Sequence, residues 1–207
     1  MGGVGPRPRV ATEADLPAIA EALSRAFERD PVWGWGFEDA DPERKRAALR
    51  AIFGFCAEAA LGYGWVRITA GAEAVALWIP PGEEEMPPAA AERVPELIEE
   101  WCGPLSAPRV SALMAAFERT HPTGPPHFYL SLLATHPDRA GHGFGMGLLA
   151  ACLEQIDCAG APAYLESSNP VNVRRYERLG FRPLREVELV PGIGGTQMWR
   201  EPSGAAA

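Results

Sequence analysis

The chain has 207 residues, 47% of them hydrophobic and 22% charged, enough apolar material for one sizeable core and unlike a disordered, collagenous or coiled-coil sequence. Nineteen Lys and Arg against 27 Asp and Glu leave a net charge of −8, which argues against nucleic acid and anionic membrane as partners and suits a cationic substrate. The four cysteines (Cys56, Cys102, Cys152, Cys158) form no Cys-x-x-Cys pair, so they read as reduced thiols rather than a disulfide scaffold.

In chain order, residues 1–7 read as a flexible end without the apolar core of a signal peptide, which points to a cytoplasmic protein. Arg9 to Ala11 reads as a short strand. Thr12 is an N-cap with Asp15 in the first turn, and Leu16, Ile19, Ala20, Leu23, Ala26 and Phe27 follow at helical spacing. Asp30-Pro31 is read as the stop of that helix, and Val32 to Phe37 as an aromatic, glycine-punctuated loop. Asp41-Pro42 opens a helix to about Leu61. Trp65–Thr69 and Ala72–Ile79 read as paired strands, and two helical patterns lie around Cys102-Gly103-Pro104 within residues 88–120. Beyond Pro125-Pro126 the order is a strand (His127–Thr135), a helix (Gly143–Cys158), a strand (Ala163–Ser167), a helix (Asn169–Leu179) and strands at Phe181–Val190 and Thr196–Arg200. This alternation is that of an α/β layered domain over residues 8–201, with residues 202–207 as a second flexible end.

Two segments carry chemistry. In the first, a strand ends at Thr135 and the glycines of Gly141-His142-Gly143-Phe144-Gly145-Met146-Gly147 lead into a helix. Such glycines suit either a backbone that approaches a phosphate at a helix start or a plain flexible turn. Neither the Gly-Lys-Ser/Thr of a P-loop nor the Gly-x-Gly-x-x-Gly of a dinucleotide site is present. In the second, Asn169 caps a helix with Pro170 at its first position and Gly180 past its end, and Asn169, Asn172 and Tyr176 share one face. That face suits a ligand, or a cap beside a packed phenol. The four histidines show no ligand spacing, so no metal is expected. Cys152 and Cys158 read as core.

Together these segments resemble the GNAT superfamily of acetyl-CoA-dependent N-acetyltransferases. Pro137-Asp138-Arg139-Ala140-Gly141-His142-Gly143-Phe144-Gly145 is similar to its Pro-x-x-Gln/Arg-Gly-x-Gly-x-Gly/Ala loop, departing only at Ala140, with Arg139 one residue early. Asn169, Asn172, Tyr176, Gly180 and Phe181 match its second block. Ala74–Trp78, His127–Leu130, Gly160–Ser168 and Tyr176–Phe181 resemble the subgroup that contains puromycin N-acetyltransferase, closely over 125–200 and more loosely over 9–80.

The resemblance implies a single domain with a twisted, mixed, mostly antiparallel sheet of about six to seven strands between helices, splayed between two central parallel strands. It implies an acceptor-side half at 9–120 and an acetyl-CoA-binding half at 125–201. Leu133, Ala134 and Thr135 would meet the pantetheine, the first and last through their backbones. Residues Arg139, Ala140, Gly141, His142, Gly143, Phe144, Gly145 and Met146 would surround the pyrophosphate. Asn169 and Asn172 would steady the arm, and Tyr176 would protonate the departing thiolate. Glu166 is the first candidate for the base that frees the amine, with Asp30 and Glu28 behind it. Asp30, Trp33 and Trp35 are candidate acceptor contacts. The expected reaction is direct acetyl transfer to a primary amine of a small molecule, an aminonucleoside or other antibiotic-like amine, by a monomer or homodimer. The alternatives are a non-catalytic acyl-CoA-binding regulator and a protein or peptide N-acetyltransferase.

Overall fold

The structure, a computed structural model, describes residues 8–204. Its centre is a seven-stranded sheet of β1 (Arg9–Val10), β2 (Val66–Ile68), β3 (Ala74–Ile79), β4 (Phe128–Thr135), β5 (Ala163–Ser167), β6 (Arg182–Val190) and β7 (Ile193–Arg200). The spatial order is β1-β2-β3-β4-β5-β7-β6, antiparallel throughout except for β4 beside β5. This is the mixed, helix-flanked α/β sheet that the sequence implied.

The helices are α1 (Leu16–Phe27), α2 (Pro31–Gly36), α3 (Pro42–Leu61), α4 (Pro88–Ala91), α5 (Val94–Thr120), α6 (Phe144–Cys158) and α7 (Pro170–Glu177). On one face of the sheet α1, α3 and α5 enclose a core that includes Ile19, Leu23, Leu49, Phe53, Val75 and Leu77. On the other, α6 and α7 cover Trp78, Phe128, Leu130, Leu165 and Met198. Alternation along β5 puts Tyr164 in the first core and Leu165 in the second, as the period of two requires. Burial of side chains of this size contributes roughly 1.5–3 kcal/mol each.

The expected aromatic loop at 32–37 is a helix. Asp30 accepts from the Val32 and Trp33 N–H groups at 2.9 and 3.4 Å, and Pro31 stands at the first helical position. Asp-Pro both closes one helix and opens the next, as Asp41-Pro42 does for α3, where Asp41 accepts from Arg44 N–H at 2.9 Å. The two helical patterns around Cys102-Gly103-Pro104 are the two halves of α5, which meet at a kink at Gly103 (φ 70°), where the Arg44 guanidinium fills the space a Cβ would need; the short α4 precedes them.

One buried residue ties the far ends of the α6–α7 face together. Arg200 of β7 holds Asp157 of α6 in a two-toothed ion pair (2.6 and 2.7 Å) and donates to Leu179 O after α7 at 2.8 Å. The same aspartate accepts from Ser203 N–H at 2.8 Å, which holds that residue against α6. Residues 1–7 and 205–207 lie outside the described residues.

Candidate active site

β4 and β5 pair at only two positions, Phe128↔Ala163 and Tyr129↔Tyr164. Beyond them β4 continues along β3 to Thr135, and β5 continues along β7 to Ser167, so a gap opens between the parallel strands. A bulge falls where it opens. Leu77 faces Leu132 and Trp78 faces Leu130, leaving Ser131 as the extra residue.

Backbone direction along the gap follows from alternation. His136 N–H donates to Glu73 O at 2.8 Å, toward β3, so Leu133 and Thr135 turn their N–H and C=O groups the other way, into the gap. Ala134 turns toward β3, and its side chain is buried in the α1–α3–α5 core. At the end of the strand, Gly141 and Gly143 both have φ 81°, a conformation that L side chains rarely adopt. Gly143 is the N-cap of α6, and the first internal bond of that helix runs from Gly147 N–H to Gly143 O at 2.8 Å. Among the described residues, the N–H groups from Gly141 through Met146 have no backbone acceptor, and the loop is largely exposed. Gly145 lies against the Thr135 hydroxyl with no room for a Cβ. Arg139 and Ala140 sit on the exposed rim, and the exposed His142 turns its Nδ1 back toward Ala140 O at 3.0 Å. Phe144 packs at the edge of the α6 core. A row of free amides at a helix start suits a pyrophosphate.

On α7, Asn169 caps the helix by accepting from Val171 N–H at 3.0 Å, and Asn172 accepts from Arg175 at 2.9 Å. The Tyr176 ring is buried in the α6–α7 core, its hydroxyl carries no hydrogen bond within the described residues, and burial pushes its pKa up to about 12.

Glu166 lies on the opposite face. Its carboxylate accepts from Tyr164 Oη at 2.6 Å and Tyr129 Oη at 2.9 Å. Burial raises its pKa to about 7, against the pull of the two phenols. Glu85, in the segment after β3, accepts from the Ser131 hydroxyl at the bulge. Glu85 is exposed as a residue, and desolvation of its carboxyl raises its proton affinity against the pull of the Ser131 hydrogen bond.

The weaker base candidates are placed differently. Glu28 is paired with Arg46 at 2.9 Å, which holds its carboxyl below the usual range and makes it a poorer base. Asp30 spends one oxygen on the cap of α2 and accepts from the Ser168 hydroxyl with the other, at 2.6 Å. It thereby ties the α1–α2 corner to the end of β5. Trp33 packs edge-on against Phe53 at 5.0 Å, and Trp35 lies under the Arg109 guanidinium at 5.6 Å. Cys152 is buried as expected, whereas Cys158, at the end of α6, is exposed. Sequence reasoning missed Tyr129, Tyr164, Ser131 and Ser168. Tyr164 had a usable signal, because it precedes Glu166 by two residues on one strand and so shares its face.

The family described as acetyltransferase (GNAT) matches residues 20–181, well over half of the chain. The chain belongs to the GNAT family of acetyltransferases. Among solved structures it is similar to the Corynebacterium glutamicum protein named histone acetyltransferase HPA2 and related acetyltransferase. That pair shares 28% identity over 98% of this chain and 99% of the other, with a TM-score of 0.69. It shares its fold with an agmatine N-acetyltransferase (15% identity, 93% and 96% coverage, TM-score 0.60). A Drosophila melanogaster polyamine N-acetyltransferase is similar to the same degree (15%, 93% and 97%, 0.60). GNAT acetyltransferases use acetyl-CoA, and this one is an acyltransferase by family. Among the described residues no helix is long and apolar enough to cross a membrane, and no three His, Cys, Asp or Glu side chains converge as metal ligands.

Proposed function

We propose that this GNAT acetyltransferase moves the acetyl group of acetyl-CoA directly to a primary amine of a small molecule. The reading is carried by the gap between β4 and β5, with free backbone donors along one side and a carboxylate of raised proton affinity facing it from the other sheet face. The residues fit acetyl-CoA. Gly141 to Met146 offer amides to its pyrophosphate, Leu133 and Thr135 offer strand-like bonds to its pantetheine, and Asn169 and Asn172 flank the arm. When bound, acetyl-CoA supplies the acetyl thioester.

The protein's own groups manage the protons. An alkyl ammonium near pKa 10 has no lone pair to attack with, and Glu166 takes its proton onto a carboxylate oxygen. The bond formed is nitrogen to acetyl carbon, and the bond broken is carbon to sulfur. Tyr176 holds a proton at Oη for the leaving sulfur. A phenol near 12 donating to a thiolate whose acid is near 8.5 works uphill by roughly 5 kcal/mol, so closeness to the sulfur, not acidity, makes it useful. The ammonium loses two protons, one to Glu166 before attack and one to solvent as the amide forms; Tyr176 gives one to the sulfur, so one proton is released overall, and exchange with solvent resets both residues.

The acceptor is a cationic or aromatic amine, of the aminonucleoside or antibiotic-like kind that the puromycin acetyltransferase resemblance suggests. The chain's charge of −8 favours the cationic form. Release of CoA thiol from acetyl-CoA, measured against a panel of amines and aminonucleosides, tests the reading. Amine-dependent release is the expected result. Tight CoA binding with no release by any amine would make the protein an acyl-CoA-binding regulator instead.

A further inference from the structure

We propose that Tyr129 and Tyr164 are positioning residues that clamp the Glu166 carboxylate on the acceptor face and set how readily it takes a proton. The proposal rests on the reading of Glu166 as the base.

Each phenol donates to a different oxygen, Tyr129 Oη to Oε2 at 2.9 Å and Tyr164 Oη to Oε1 at 2.6 Å. A carboxylate oxygen has two acceptor sites, so neither phenol by itself exhausts the oxygen it holds. The two tyrosines are also the last residue pair joining β4 to β5, which places the clamp at the mouth of the gap. Their rings cannot drift. Tyr164 is fully buried and Tyr129 nearly so, with centroids 5.6 Å apart. His121, at the end of α5, meets both rings edge-on at 4.7 and 5.1 Å, and His127 and Trp199 close on Tyr164. A carboxylate held by locked donors keeps one orientation.

The surroundings explain why two hydroxyls matter so much. Among the described residues no Lys, Arg or His forms an ion pair with Glu166. Burial and the facing Glu85 favour its protonated form, and Glu118 acts on Glu85 in the same direction. Gln197 of β7 supports the charged form, and Arg185 of β6 acts on Tyr164. His121 is pushed down to about 4, chiefly by burial, and adds no positive charge at neutral pH. The phenols are thus the main support of the charge, and both lower the proton affinity that burial raises.

The test is the pH dependence of kcat/KM for amine-dependent thiol release, beside a ¹³C NMR titration of carboxyl-labelled glutamate assigned with Glu166→Gln. In the parent, activity rises with pH through about 7, as Glu166 loses its proton. Tyr129→Phe and Tyr164→Phe, which keep the rings, should each move that limb and the NMR midpoint upward by about one pH unit. Acetyl-CoA affinity should stay unchanged. If Tyr164→Phe does not fold, the folded Tyr129→Phe decides. A folded variant with an unmoved Glu166 midpoint overturns the clamp. If no amine reacts in the parent, the proposed function falls, and the NMR midpoint still supports or overturns the clamp by itself.

Discussion

On the cofactor side of the proposed site, most of the groups are backbone amides and carbonyls from one stretch of chain, Leu133 to Met146, joined by Asn169, Asn172 and Tyr176 at one short helix, α7. On the α1–α3–α5 side they are side chains from separate segments: Glu85 after β3, Tyr129 on β4, Tyr164 and Glu166 on β5. A backbone device depends on φ and on room for close approach, so Ala140 in place of the Gln or Arg that the resemblance calls for should leave it working. A side-chain device depends on strand register, and a shift of one residue would turn Glu166 to the other face. On the proposed reading, the acetyl-CoA half would be general and the acceptor half particular.

The sharpest way to break this comparison is Tyr176→Phe. Losing a proton donor that acts late should cut kcat roughly a hundredfold or more, while calorimetry shows unchanged acetyl-CoA affinity. Near-normal turnover would remove Tyr176 from the reaction. Trp33→Ala asks whether α2 belongs to the acceptor pocket. Its packing on Phe53 predicts a loss of about 2 kcal/mol, a Tm lower by roughly 4–8 °C, with acceptor KM unchanged. A large rise in KM at unchanged Tm would put Trp33 in the pocket instead. Gly143→Val probes the backbone half. Forcing a β-branched residue to φ 81° should weaken acetyl-CoA binding about tenfold by calorimetry, with saturated turnover nearly kept. Smallest is a salt effect. With a cationic acceptor, kcat/KM should fall a few-fold as ionic strength rises, about as much as screening allows. A flat salt profile would argue against an acidic acceptor side.

Legibility in the sequence follows the same division. The glycine loop and the Asn169–Phe181 block could be read because their groups are contiguous and each residue type has a local backbone reason. The strands and the long helix α3 were legible from alternation and from Asp41-Pro42. Helix α2 was not, because Asp30-Pro31 serves equally as a stop and as a start, and the six residues between Asp30 and Phe37 carry two glycines. Glu166 was named from its place at a strand end. Its partner Tyr129 was not, since the parallel register that sets it beside Tyr164 comes from the packed sheet and leaves no mark in either segment. Asp30–Ser168, spanning 138 residues, is invisible for the same reason.

The division of labour across the gap is tested most directly by Glu166→Gln, with turnover and acetyl-CoA affinity measured on the same preparation. Two faces meeting at one gap predict that turnover falls roughly a hundredfold or more and that the pH limb near 7 disappears. Acetyl-CoA affinity should stay within about twofold, because Glu166 is hydrogen-bonded to Tyr129 and Tyr164 and to none of the groups proposed to hold acetyl-CoA. Turnover close to the parent's, or an acetyl-CoA affinity that falls as far as turnover does, would contradict the account.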